Sequence, residues 1–250
     1  MSGAEVWTIR TDEPLAVATV DAIHTGDTDS LERLLADNPG LVNARLGSDD
    51  AKAMTRTLLH VATDWPGHFA NVSATIGALV EAGADVNARF VGPHTETPLH
   101  WAASSDDVGA LDALIDAGAD IEATGAVIAG GTPLTDAAAF GQWKAARRLV
   151  ERGAHTPLRE AAALGLTDRV ERYCAGDPPP TSEDLTQALW YACHGGRQPM
   201  AHYLLERGAD LNWVSTWDET TPLDAARRSG ADDLVAWLRD RGATSAAEPN

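Results

Sequence analysis

The chain has 250 residues, of which 44% are hydrophobic, enough for a folded body of ordinary size. Its 37 acidic residues outnumber its 19 basic ones and give a formal net charge of -18. Such a chain is repelled by phosphate backbones and by anionic lipid surfaces, so neither general nucleic-acid binding nor membrane binding is expected.

The predicted elements are pairs of helices, because two short phrases recur along the chain. The first phrase, Gly-Ala-Asp, starts at Gly83, Gly118 and Gly208, with variants at Gly153 and Gly242. Neighbouring copies lie about 35 residues apart over much of the chain, which is typical of a repeat protein. The period therefore indicates repeated structural units.

The second phrase, Thr-Pro-Leu, predicts the start of a helix in each unit. It begins at Thr97, Thr132, Thr156 and Thr221, and a variant begins at Thr57. Threonine caps a helix, and proline in the first turn loses no hydrogen bond there. Small residues follow, then a turn, then a second helix with apolar residues at a period of 3.6. Glycine ends this second helix, since it adopts the left-handed conformation without steric cost.

In chain order, the helix pairs differ in how closely they keep this pattern. The first pair is degenerate, and the second carries about five extra residues around 64–68. The fourth lacks the finger, the loop that follows a second helix. The seventh closes the stack. The predicted pairs span residues 14–47, 57–96, 97–131, 132–155, 156–181, 182–220 and 221–243. The predicted domain is 14–243, with tails at 1–13 and 244–250.

The two phrases resemble those of the ankyrin repeat family. The segment from Thr97 to Ala103, TPLHWAA, is close to the family's helix-opening signature, and GADVNA from Gly83 to Ala88 matches its helix-ending phrase. The resemblance covers nearly the whole chain. It implies an all-α solenoid of about seven stacked helix–turn–helix repeats with degenerate terminal caps. It also implies that His60 and His100 tie adjacent repeats by hydrogen bonds.

The resemblance further implies a concave groove, formed by first helices and fingers, that binds another protein. Exposed aromatic side chains in such a groove are expected to act as hot spots, although each could instead pack beneath a neighbouring finger. The candidate partner-binding residues are Asp64, Trp65, Arg89, Phe90, Phe140, His194, Trp213 and Trp217.

Two other classes of function stay open at this point. One is a small-molecule-binding protein or atypical enzyme, using an aromatic pocket near Phe140 with His194, Asp64 or Glu160 as polar groups. The other is an acidic inhibitor or antitoxin-like protein with a basic partner. The sequence contains no zinc-binding, phosphate-binding or nucleophile-elbow motif. We therefore expect no catalytic residue, metal or cofactor.

Composition also indicates the cellular compartment of the protein. The two cysteines, Cys174 and Cys193, are fewer than a secreted scaffold of this size would normally carry. Residues 1–5 show no basic segment followed by an apolar core. A cytoplasmic location is therefore expected, and the protein is separately expected to be a monomer. The chain contains only two lysines, Lys52 and Lys144, but many arginines and alanines. This composition suggests a GC-rich bacterial genome.

Overall fold

The computed structural model describes residues 7–47 and 54–247; Lys52 and parts of both predicted tails lie outside these ranges. The described residues form fourteen α-helices, two short strands and a 3-10 turn at Leu41–Asn43. The helices are α1 (Pro14–Thr25), α2 (Thr28–Asp37), α3 (Leu58–Ala62), α4 (Val72–Glu81), α5 (Pro98–Ser104), α6 (Val108–Asp116), α7 (Pro133–Ala139), α8 (Trp143–Glu151), α9 (Leu158–Leu164), α10 (Thr167–Cys174), α11 (Ser182–His194), α12 (Gln198–Leu205), α13 (Pro222–Arg228) and α14 (Asp232–Arg239).

The chain divides after Ala154 into two compact units. In the first unit, α1 contacts α2 and α3, α3 contacts α4 and α5, and α5 contacts α6 and α7. The second helices also follow one another, since α2 contacts α4, α4 contacts α6, and α6 contacts α8. In the second unit, α11 contacts α9, α12 and α13. Within each unit, every hairpin therefore buries its apolar face against its sequence neighbours, as predicted for a helical repeat solenoid.

The first helices begin as the sequence pattern predicts. At α5, the Thr97 amide donates to Nδ1 of His100 at 3.1 Å, and Pro98 occupies the first turn. Leu99, Ala102 and Ala103 then pack in the core without exposed surface. The small side chains of Ala102 and Ala103 allow neighbouring helices to approach closely. The capping phrase thus fixes both the start of the helix and its buried face.

A left-handed glycine follows most of the second helices, and α6 shows why. Gly118 has φ of +93°, the left-handed region that only glycine enters at no steric cost. Its amide donates to the Ile115 carbonyl at 3.0 Å, and the Ala119 amide donates to the Leu114 carbonyl at 2.9 Å. These bonds satisfy carbonyls that the end of the helix leaves free.

Strands β1 (Thr8–Arg10) and β2 (Arg45–Gly47) form a short parallel sheet, with Ile9 opposite Leu46. Both apolar side chains are buried, so part of the segment predicted as an N-terminal tail packs on the first repeat. The C-terminal segment behaves similarly, because Thr221 Oγ1 donates to the Thr244 carbonyl at 2.9 Å and Ser245 is buried.

Among residues 7–47 and 54–247, no helix is both long and apolar enough to cross a bilayer.

Candidate partner-binding surfaces

An aromatic cluster lies in the second unit, where the finger after α12 meets α11. The tryptophan cluster consists of Trp190, Tyr191, Trp213 and Trp217. The Trp217 ring centroid lies 5.2 Å from that of Trp190 and 5.3 Å from that of Trp213, both edge to face. Trp190 and Tyr191 are buried, whereas Trp217 keeps 44% of its surface exposed. The cluster therefore has a packed base and an open edge.

Hydrogen bonds hold the finger that carries Trp213 and Trp217. The Ser215 amide donates to the Thr220 carbonyl at 2.9 Å, and the Asp218 carboxylate accepts from Thr220 Oγ1 at 2.7 Å and from Arg228 at 2.8 Å. Burial alone would raise the pKa of Asp218, but these bonds and one from Ser215 lower it. A loop held in this way loses little entropy when it contacts a partner.

His194 belongs to the interior of the same region. It is buried at the end of α11, and its ring centroid lies 5.2 Å from that of Trp190. The expected surface position of His194 is therefore wrong, because the side chain packs behind Trp190. Trp190 itself contributes to the base of the cluster, a role that its inward position in the repeat pattern concealed.

Trp65 is the most open of the candidate aromatic residues in the first unit. It keeps 81% of its surface exposed, in the loop between α3 and α4. Its neighbour Asp64 is already engaged, since the carboxylate pairs with Arg56 and accepts a hydrogen bond from the Trp65 amide at 2.9 Å. The structure thus presents Trp65 to solvent and uses Asp64 to hold the loop.

Phe90 is not on the surface, contrary to the sequence-based expectation. Only 7% of it is exposed, and its ring stacks on that of His94 with centroids 4.5 Å apart. The Trp101 ring covers it from α5, with centroids 5.5 Å apart. The preceding residue, Arg89, is exposed, but its guanidinium donates to the carbonyls of Thr95 and Thr124. Arg89 therefore joins two successive fingers.

Phe140 follows the last residue of α7 and keeps 51% of its surface exposed. The polar side chains expected beside Phe140 are either paired or buried. Asp64 pairs with Arg56, and His194 and Glu160 are both buried. These positions give no support to a polar pocket beside Phe140.

The signature histidines behave as the repeat pattern implies. His60 and His100 are fully buried, and the Thr57 and Thr97 amides donate to their Nδ1 atoms. With Nδ1 accepting, Nε2 of His100 donates to the Gly131 carbonyl in the next finger at 3.4 Å. Burial lowers the pKa of His60 to about 3 and that of His100 to about 4, so both rings are neutral at pH 7.

Sequence reasoning missed a buried acid pair. Glu96 ends the finger before α5, and Asp136 lies on α7; both are buried. A signal was available, since Asp136 occupies the inward position that Trp101 fills one repeat earlier, where a carboxylate is not expected. Within the part of the chain that the structure describes, no group of three His, Cys, Asp or Glu side chains could hold a metal ion.

Comparison with known protein families agrees with this architecture. A family model for ankyrin repeats, built on three copies, matches residues 68–160 and 158–248. These ranges cover most of the chain, which therefore belongs to the ankyrin repeat family. Among solved structures, the chain is similar to the human ASB11 ankyrin repeat domain, with a TM-score of 0.53. The two are 21% identical over 90% of this chain and 97% of that one, so this likeness concerns the fold alone.

Proposed function

We propose that the protein is an interaction module that binds a segment of another protein through its first helices and fingers. Ankyrin repeats are generally protein–protein interaction modules, and their pre-formed surface lowers the entropy cost of binding. The observation that carries the proposal is the open edge of the tryptophan cluster. Trp217 is 44% exposed although three aromatic rings pack around it.

A tryptophan in this setting has the properties of an interface hot spot. It offers a large apolar area, and its packed base restricts its motion before a partner arrives. Trp213 extends the same surface along the finger. In the first unit, Trp65 and Phe140 are exposed at positions that the repeat pattern assigns to the binding side. We propose that these four residues contact the partner.

The partner is proposed to be basic, because the chain carries a net charge of -18. Long-range attraction of this kind raises the association rate and weakens as salt screens it. From its composition we propose that the protein is cytoplasmic, and we also propose that it is a monomer. Both cysteines are free thiols, as is usual in a reducing compartment, and burial raises the pKa of the Cys193 thiol. Neither a small-molecule site nor an enzyme is proposed, since the polar groups expected near Phe140 are buried or paired.

The test is an affinity pull-down from native cell extract followed by titration of the identified partner. The double variant Trp213→Ala and Trp217→Ala should weaken binding about 30-fold or more, as expected for loss of hot-spot contacts. Far-ultraviolet circular dichroism should remain unchanged. Val214→Ala, in the same finger, is the matched control and should bind nearly as well as the wild type.

Three results would each contradict a different part of the proposal. Equal affinity of the folded double variant and the wild type would remove the tryptophan cluster from the binding surface. Loss of helicity would mean that the two rings are structural. A partner affinity that does not fall between low and physiological salt would contradict the basic partner alone.

A further inference from the structure

Arginine side chains lie over aromatic rings at three places in the second unit. The guanidinium carbon is 3.5 Å, 4.0 Å and 5.5 Å from the ring centroid in the pairs Arg207–Tyr203, Arg241–Trp237 and Arg159–Tyr191, respectively. The negative face of an aromatic ring attracts a guanidinium, which stacks on it because the group is planar and weakly hydrated. This unit therefore already holds guanidinium groups against aromatic rings.

Trp217 is an exposed ring without such an arginine. It keeps 44% of its surface open, while Trp190 and Trp213 pack against it and limit its motion. Among the residues that the structure describes, no arginine or lysine lies over the ring of Trp217 or of Trp213. The open edge of the tryptophan cluster therefore offers aromatic surface that no cation of the described chain covers.

The charges around this exposed ring leave one carboxylate without a partner. On the same finger, Asp218 pairs with Arg228 at 2.8 Å. Arg159, whose guanidinium is on the tyrosine of the cluster, lies 3.9 Å from a carboxylate oxygen of Glu160. Glu219, two residues along the finger from the exposed tryptophan, is itself exposed and makes no ion pair within residues 7–47 and 54–247. Each arginine of the region thus has a carboxylate nearby, and the remaining charge beside the open ring is negative.

We propose that an arginine of the partner segment occupies the open edge of the tryptophan cluster. Its guanidinium stacks on the Trp217 ring and pairs with the Glu219 carboxylate. Arginine fits this place better than lysine, because one planar group can stack on a ring and pair with a carboxylate at the same time. The inference rests on the proposed function and specifies which side chain of the partner makes the central contact.

Charge complementarity favours this occupant over an apolar side chain. An apolar group would cover the Trp217 ring but would bring no positive charge to Glu219. A partly exposed cation–π contact and a surface ion pair each change an affinity by roughly two- to fivefold, so together they contribute a factor of about ten. The net charge of -18 attracts a cation towards the chain from a distance as well.

The experiment is a selection of short peptides from a random phage-displayed library on the full-length protein. Peptides that bind the wild type and not folded Trp217→Ala are kept, and we expect them to share an arginine at one fixed position. The tightest of these peptides is then synthesised and titrated by calorimetry. Replacement of its arginine by citrulline, the uncharged isostere, should weaken binding about tenfold, and replacement by lysine about threefold.

Three protein variants locate the arginine by double-mutant cycles with the arginine and citrulline peptides. In Trp217→Leu, which keeps an apolar side chain but has no aromatic face, the citrulline effect should fall to about threefold. Glu219→Gln should reduce it to a similar extent, because the ion pair is lost. Glu171→Gln, at an exposed glutamate on α10, changes the net charge equally and should leave the tenfold effect intact.

The inference is overturned if no peptide depends on Trp217, if the selected peptides share no arginine, or if citrulline binds as well as arginine. A citrulline effect that stays tenfold in Glu219→Gln would also overturn it, by placing the arginine elsewhere on the protein. If the Trp217 variants lose helicity, peptides are selected on the wild type alone, and the Glu219→Gln cycle decides the matter.

Failure of the proposed function gives a different result. There, the cellular partner binds the wild type and the folded Trp213 and Trp217 double variant equally well. A partner that needs both tryptophans, together with selected peptides that show no preference for arginine, keeps the proposed function and overturns only the arginine contact.

Discussion

At the scale of single residues, buried polar side chains do much of the work of joining repeats. His100 illustrates this, since Nδ1 accepts from Thr97 within one helix while Nε2 reaches the Gly131 carbonyl of the next finger. His60 makes the equivalent connection to the Glu96 carbonyl at 3.2 Å. Each neutral ring satisfies backbone groups on two sides, so protonation would remove an acceptor and place a charge in the core.

His100 should make the free energy of unfolding sensitive to acid. Its pKa is about 4 in the folded chain and near 6.5 when unfolded, so the unfolded state binds more protons between these values. Stability is therefore lost as pH falls below 6.5. The stability advantage of the wild type over His100→Asn should shrink by about 2 kcal/mol between pH 7 and pH 5. Urea denaturation at both pH values measures it.

The comparison with a variant removes the contribution of Asp136. That carboxyl has its pKa raised to about 8, so acidification from pH 7 to pH 5 stabilises the wild type and His100→Asn alike. A difference between the two proteins that stays constant with pH would show that His100 is not held neutral by the fold.

At the scale of secondary structure, a left-handed glycine marks where five of the second helices stop, namely α4, α6, α8, α12 and α14. A Cβ atom at position 118 would meet no atom within 4 Å, so the space around Gly118 does not exclude a side chain. The restriction comes from the backbone, which has φ of +93°. Gly77, by contrast, lies inside α4, and its Cβ position is equally open.

Substitution of these two glycines should have opposite effects. Gly118→Val should lower the free energy of unfolding by about 1–2 kcal/mol, because a β-branched residue is strained in the left-handed region. Gly77→Ala should raise it by roughly 0.5–1 kcal/mol, because alanine restricts the unfolded chain and favours a helix. Thermal and urea denaturation of both variants test this. An unchanged Gly118→Val would contradict the predicted helix boundary.

At the scale of the whole molecule, contacts follow the order of the chain. Within each compact unit a helix touches its partner and the helices of adjacent hairpins. Stability in such an array is close to a sum of local terms and nearest-neighbour terms. A defect should therefore loosen the hairpins around it before it affects distant ones.

Paired core substitutions should show this locality. Leu204 on α12 and Leu79 on α4 are both fully buried, and truncation of such a leucine costs about 2–5 kcal/mol. Leu204→Ala should reduce hydrogen-exchange protection in α11 to α14 and leave α4 and α5 nearly unchanged. Leu79→Ala should give the reverse pattern. Mass spectrometry measures the exchange in each helix. Equal loss of protection in both units would mean that the chain unfolds as one cooperative body.

Much of the fold follows from local sequence. Capping threonines, prolines in the first turn and terminating glycines act within a few residues, so the starts and ends of helices such as α5 and α6 are visible without tertiary information. The inward histidines follow from the same repeat pattern. The strand at Thr8–Arg10 does not, because three residues form a strand only when a distant segment supplies hydrogen-bonding partners.

The sequence by itself determined the repeat period, the all-α class and the helix ends, since these depend on backbone preferences over short distances. Only the tertiary structure decided which finger residues are exposed. Phe90 is covered by Trp101 from α5, and His194 packs against Trp190 of its own helix, α11, whereas Trp65 and Trp217 keep open surface. Burial of a loop side chain depends on what the stacked neighbours bring against it, and that is set by packing across repeats.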